Sequence, residues 1–392
     1  MKYKLEDICL KITDGSHYSP ADDINSDIPM LSVKDMEEFD FNYNNCKHIS
    51  EEEYNKMLRN DCVPKLNDVL VAKDGSYLKE IFVNEVENKK AILSSIAIFR
   101  PNPEIVDPYF LCYLLKTPMI LNYVKDNCVS GSALPRIILR AFKGIELTIP
   151  ELEIQRKIVK IIKSINSKTK INNEINNNLL EQIKSIYNEV FTQYDDYKRL
   201  DEISNVTIGK TPPRSEQECF TTDKKDIKWI SISDLGKSGM FIFDTSEKLT
   251  REAVDKYNVK VIPKDTVILS FKLTVGRTGF TTEDMATNEA IAHFDLNNKK
   301  LNNYLYCYLT YFNYSDLGST SSIATAINSK IVKSIKIGIP SEEQLDKFNK
   351  LTSSMFNLVK NNEKENIKLS ELRDTLLPKL MNGEIDLDNI EI

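Results

Sequence analysis

Histidine and tryptophan are scarce: three His and one Trp in 392 residues. His17, His48 and His293 form no HExxH or HxH cluster, so each reads as a surface group or a satisfied core group, and no metal site is expected. The seven cysteines are odd in number and show neither CxxC nor metal-ligand spacing. Reduced thiols are expected, with Cys112 and Cys307 buried on apolar segments. There is no Walker A loop and no GxGxxG, and Asp107-Pro-Tyr-Phe110 has one proline where an amino-methyltransferase motif has two. Glu51-Glu-Glu53 reads as a solvated helix start, and no acid pair is set up for catalysis. No apolar run reaches membrane-spanning length and the N-terminus lacks a signal-peptide pattern, so a cytoplasmic protein without membrane contact is expected. Together these absences leave an enzyme possible but unsupported.

A surplus of positive charge is missing too. The net charge is −6. Residues 1–150 carry 18 basic and 23 acidic side chains, residues 151–193 carry 7 and 5, residues 194–340 carry 20 and 19, and residues 341–392 carry 7 and 11. Any affinity for nucleic acid must come from local Lys and Arg patches or be lent by a partner.

Two long heptad stretches are present. After Pro150, apolar residues recur at Ile154, Ile158, Ile161, Ile165, Ile175, Leu179, Ile186 and Val190, with Lys168 and Asn172 in a central polar gap. A helix of about 40 residues spans roughly 60 Å and cannot bury such a seam alone. From Ser341 to Leu380 a second seam reads Phe348, Leu351, Met355, Leu358, Asn362, Glu365, Leu369, Leu372 and Leu376. Aligning the polar gaps predicts an antiparallel coiled coil in which Asn172 faces Asn362, Lys168 faces Glu365 and Ile154 meets Leu380. A slip would bury a charge against leucine at a cost of several kcal/mol.

The chain also repeats itself. Asp27-Ile-Pro-Met-Leu-Ser-Val-Lys-Asp-Met36 matches Asp226-Ile-Lys-Trp-Ile-Ser-Ile-Ser-Asp-Leu235, and Tyr109-Phe-Leu-Cys-Tyr-Leu114 matches Tyr304-Leu-Tyr-Cys-Tyr-Leu309. The period is too long for a solenoid. We therefore expect an α+β fold: two similar globular domains separated by two long helices, with a pseudo-twofold internal repeat. The boundaries are 1–150, 151–194 (central helix), 195–340, and 341–392 (distal helix and tail). Each domain should hold mostly short strands, at 28–33, 69–72, 91–99, 227–232, 266–270 and 290–294, plus one helix, at 108–115 or 301–312.

Several polar loops recur at matched positions and look suited to DNA phosphates and base edges. In the first repeat they offer Ser16, His17, Tyr18, Lys73, Ser76, Tyr77, Ser132, Arg136 and Arg140. In the second they offer Lys210, Thr211, Arg214, Lys272, Arg277, Ser321, Asn328, Lys330 and Lys333. The loops differ most between the halves while the strands match, which suggests one scaffold with two specificities. Trp229 sits on an apolar strand and reads as core.

At this point the chain resembles the specificity subunit of type I restriction–modification systems. The most specific signatures are Ile149-Pro-Glu-Leu-Glu-Ile-Gln155, Ile339-Pro-Ser-Glu-Glu-Gln344 and the terminal Leu372-Arg-Asp-Thr-Leu-Leu-Pro-Lys-Leu-Met-Asn-Gly-Glu-Ile385. Asp14-Gly-Ser-His-Tyr18 and Ile208-Gly-Lys-Thr-Pro-Pro213 fit as well. The resemblance implies two target recognition domains, 1–150 and 195–340, each reading half of a bipartite double-stranded DNA site. It implies two methyltransferase subunits along the helices and a translocating endonuclease subunit. S-adenosylmethionine, and ATP with Mg for restriction, would be bound by those partners, and the chain itself would be a non-catalytic recognition subunit with no cofactor of its own. Helix length would set the spacer between the half-sites. A coiled-coil scaffold with two protein-binding heads and no DNA role is the alternative.

Overall fold

The strand Cys9–Asp14 buries Ile12, leaves Leu10 exposed, and pairs antiparallel with Ile96–Pro101. In this computed structural model, which describes residues 1–75, 78–131, 135–194, 196–317 and 327–387, that pair begins the core sheet of the first of two compact units. The first unit comprises Met1–Lys170 with Lys368–Ile392, and the second Ile171–Ile367.

In the first unit a four-stranded antiparallel sheet runs in the order Cys9–Asp14, Ile96–Pro101, Val69–Ala72, Ile81–Val83. A smaller sheet places Pro29–Leu31 between Lys47–His48 and Ala91–Ile92, the last pair parallel. In the second unit Ser204–Ile208, Ile291–Leu296, Val267–Ser270 and Thr278–Thr281 form the matching order, with Phe241–Ile242 added at the edge. Ile227–Ile230 again lies between Glu247–Leu249 and a parallel partner, Ala286–Thr287. Each unit also pairs an early strand with a late one, Lys2–Lys4 with Glu146–Thr148 and Asp196–Arg199 with Lys336–Ile339. The repeat seen in the residues is thus a repeat of topology. It extends to a glycine: a Cβ on Gly15 would lie 2.4 Å from the Ile92 carbonyl oxygen, and one on Gly209 would lie 2.3 Å from the Thr287 carbonyl oxygen. Only glycine lets these loops approach so closely.

One helix per domain is too few. Pro108–Leu115 and Asn302–Tyr311 are present, but Glu51–Arg59, Pro118–Asn127 and Arg251–Lys256 are helical as well. Ser50 and Thr250 cap two of them with side-chain oxygens, satisfying amides that a first turn leaves open.

The long helices run Leu152–Val190 and Glu342–Met381. Their buried faces match the expected seams only in part: Ile158, Ile165, Asn172, Val190, Phe348 and Asn362 are buried as expected, while other seam positions are not. Ile154, expected to meet Leu380, is 42% exposed; Gln155 takes the inner position, and Leu380 packs in the core that holds Ile158, Val159 and Ile162. Ile175, Leu351, Leu358 and Leu372 are exposed, while Thr169, Asn172, Asn176, Thr352, Phe356 and Val359 are buried. Gln155 explains the shift at the first helix start. Its amide donates to the Ile105 and Pro150 carbonyls, and its Oε1 accepts from the Asp107 amide at 2.9 Å. A buried glutamine that satisfies loop backbone outcompetes an isoleucine for the inner position. Gln344 does the same in the second unit, donating to the Val190 and Gln193 carbonyls.

The polar layer of the second unit has its own register. Asn172 donates to Glu365 at 2.8 Å and to Asn366 at 2.9 Å, and Asn362 donates to Asn176 at 2.8 Å. The two segments are antiparallel, as expected. However, Asn172 is one turn away from the Asn362 it was expected to face. The polar stretch is longer than the gap in the heptads suggested, because Asn176 extends it. Lys168 is exposed.

Each unit ties its globular part to a helix electrostatically. In the first, the Tyr109 hydroxyl donates to Glu85 at 2.6 Å, and Lys163 and Lys170 on the central helix each lie 3.7 Å from the same carboxylate. Burial pushes the Glu85 carboxyl up, but the Tyr109 hydroxyl and the two lysines outweigh it and hold it below the usual range. In the second, Glu363 on the distal helix accepts from the Met240 and Phe241 amides at 2.8 and 2.9 Å. Burial dominates there and raises its carboxyl to about 7.

Candidate nucleic-acid interface

In the first unit three distant stretches converge. Gly75 donates its amide to the Pro135 carbonyl, Ile137 donates to the Lys73 carbonyl, and Arg136 Nε lies 3.0 Å from Asp74 Oδ1. The loop 14–18 joins through Asp14, whose Oδ2 is 2.6 Å from Lys73 Nζ and 3.5 Å from His17 Nε2. The matched loops of the sequence therefore meet at one place. Lys73 is a correction: it is 5% exposed and ion-paired, so it is not an open cation for phosphate. Its place on the strand end faces the core, and Asp14 neutralises it there. Ser16 is also buried, its hydroxyl donating to the Tyr18 carbonyl and accepting the Tyr18 amide to close a turn. His17, Tyr18, Arg136 and Arg140 are exposed. Ser76, Tyr77 and Ser132 lie outside the described residues.

In the second unit the loop 209–214 is braced against 287–289. The Lys210 amide donates to the Thr287 carbonyl, Lys210 Nζ to the Tyr257 carbonyl at 2.6 Å, and Thr211 to Glu289. Arg214 packs against two rings, its guanidinium carbon 4.2 Å from the centre of Phe220 and 4.9 Å from that of Trp229, and donates to Glu247 at 2.8 Å. Trp229 is 2% exposed and donates its indole N–H to the Lys210 carbonyl, so it is core and also a platform for Arg214. Phe220 carried no sequence signal for this role, because nothing in its spacing places it under Arg214. Lys272 and Arg277 are exposed on the turn after Val267–Ser270. Asn328 accepts from the Lys330 and Ile331 amides and so caps a short helix, with Lys330 exposed and Lys333 half-buried. Ser321 lies outside the described residues.

His293, buried in this unit, lies between the Thr207 hydroxyl at 3.0 Å and the Thr287 hydroxyl at 2.6 Å. Burial, with a smaller effect from Lys260, lowers its pKa to about 3. It is a satisfied neutral core group. Among the described residues no group of three or more His, Cys, Asp or Glu could hold a metal ion, and no helix is long and apolar enough to cross a membrane.

A family model described as "Type I restriction modification DNA specificity domain" matches residues 1–181 and again 195–371. The chain belongs to this family. It carries the DNA specificity domain twice, at the two repeats described above. Among similar proteins is the type I restriction enzyme HindI specificity subunit of Haemophilus influenzae, 24% identical and covering 82% of this chain and 87% of that one. Another is the MjaIX specificity subunit of Methanocaldococcus jannaschii, 25% identical, covering 93% and 88%. A crystal structure of the type I restriction–modification S subunit from M. genitalium matches with a TM-score of 0.57 at 14% identity, covering 97% of this chain and 95% of that one, and so shares the fold.

Proposed function

We propose that this chain is the sequence-reading subunit of a type I restriction–modification complex, binding duplex DNA at a bipartite site with one half-site per repeat. The observation that carries the reading is the doubled DNA specificity domain, seen both in the family match and in two units of one topology. The exposed loop residues supply the contacts: His17, Tyr18, Arg136 and Arg140 in one unit, and Lys210, Arg214, Lys272, Arg277 and Lys330 in the other. The near balance of charge fits a chain that shares its DNA contact with partners. We place two methyltransferase subunits on the long helices, where Ile154, Ile171, Ile175, Leu351 and Leu358 leave apolar side chains exposed. An endonuclease subunit joins for restriction. S-adenosylmethionine, ATP and Mg belong to those partners in this reading, and the chain itself performs recognition.

The test is to co-express the chain with its methyltransferase, sequence the methylated sites of the host, and titrate cognate and scrambled duplexes at several salt concentrations. One bipartite methylated sequence, bound with a steep salt dependence, is expected. Binding indifferent to salt and sequence favours the scaffold with protein-binding heads.

A further inference from the structure

The turn that follows Val267–Ser270 presents a leucine to water. Leu273 is 91% exposed and has φ of 62°, in the left-handed region. Both features count against leucine at that place, since a Cβ is disfavoured at positive φ and an isolated apolar side chain gains nothing from solvent. The other repeat shows what the turn itself requires. There the Ala72 amide donates to the Glu80 carbonyl, as Ser270 does to Arg277, and the Leu78 amide donates to Ala72 as Gly276 does to Ser270. In that alignment Leu273 corresponds to Gly75, which has φ of 69°. The first repeat thus puts glycine at the left-handed position and the second puts leucine.

The turn is held firmly. Ser270 Oγ donates to the Thr274 carbonyl at 2.6 Å and accepts the Arg277 amide at 3.0 Å. Arg277 is further fixed by its bond to the Ile232 carbonyl. The result is an exposed apolar side chain on a braced tip, with the cations Lys272 and Arg277 beside it. A duplex matches that chemistry: phosphates lie on either side of a groove whose floor offers thymine methyls and base edges to apolar contact.

We propose that Leu273 is a specificity-determining contact, pressed into the groove of the half-site read by the second unit while Lys272 and Arg277 hold the flanking phosphates. This rests on the reading of the chain as a DNA-recognition subunit. The test uses the full chain in complex with its methyltransferase, as wild type and as Leu273→Gly. Glycine is the residue the first repeat carries, so the variant keeps the turn and should assemble and melt as the wild type does, or at a slightly higher temperature. The expected result is a loss of roughly tenfold in affinity for the cognate duplex. The salt slope should not change, because no charge is removed. Methylation should relax at one or two adjacent positions of one half-site only. Unchanged cognate affinity and an unchanged methylated sequence would overturn the proposal. So would failure of the variant to assemble with the methyltransferase, which would assign Leu273 to a protein contact. If the wild-type complex itself binds duplexes without regard to sequence, the DNA-recognition reading falls first, and this proposal with it.

Discussion

Lys73 and His293 show how a side chain with functional potential becomes structural once its neighbours are known. Lys73 reads as a phosphate contact because it lies in a Gly- and Ser-containing loop. In the fold it is buried against Asp14, and breaking a buried pair leaves an uncompensated charge. Lys73→Ala should therefore destabilise the first unit by about 3 kcal/mol or more in thermal or denaturant unfolding. If Lys73 contacted phosphate instead, the variant would leave stability alone and lower the salt slope of DNA binding by about one. His293 has its pKa lowered from 6.5 to about 3, so the folded chain resists a proton that the unfolded chain takes up. Its contribution is intact above pH 6.5 and is lost progressively as pH falls from there toward 3. His293→Gln removes the titration. The stability of wild type relative to this variant should drop by roughly 2 kcal/mol between pH 7 and pH 5, measured by chemical denaturation. A difference that stays flat with pH would show that His293 titrates normally.

At the scale of elements, the long helices were legible in their existence, length and direction, but only in part in their face. Heptad reading takes the isoleucines and leucines as the seam. The fold sets Ile154, Ile175, Leu351 and Leu358 outside, keeps Ile158, Ile165, Asn172 and Phe348 inside as expected, and also buries Gln155, Thr169 and Asn176. At Gln155 and Asn176 the inner position goes to a group that satisfies loop backbone or an amide partner, and periodicity does not carry that. The Asn176–Asn362 pair gives a direct test. Asn362→Leu alone leaves a buried amide without its partner and should cost about 1 to 3 kcal/mol. Adding Asn176→Leu should recover most or all of that loss, and a double-mutant cycle from unfolding midpoints measures the coupling. The recovered stability should come with weaker specification of register, the role a single buried polar position plays in coiled coils. Additive single effects would mean the two asparagines do not act as a pair.

For the molecule as a whole, two units of one topology carry different loops. Gly15 and Gly209 keep the same close approach, while Gly75 gives way to Leu273 and the buried Lys73 to the buried Phe271. Exchanging residues 1–150 for the corresponding domain of another family member should change one half-site of the methylated sequence and leave the other as it was. If sequencing of methylated sites shows both halves altered, the units do not read independently.

The sequence by itself determined the duplication, the α+β class, the two long helices and their antiparallel pairing. It also determined which loops recur at matched positions. These follow from patterns local to the chain: apolar spacing, turn residues and repeated strings. Only the tertiary structure decided which residues in those loops face solvent, why Lys73 and Ser16 turn inward, how Arg214 lies across Phe220 and Trp229, and that Asn362 meets Asn176. Those outcomes depend on burial and on partners far away in the chain, where the cost of an unpaired charge or amide outweighs any local preference.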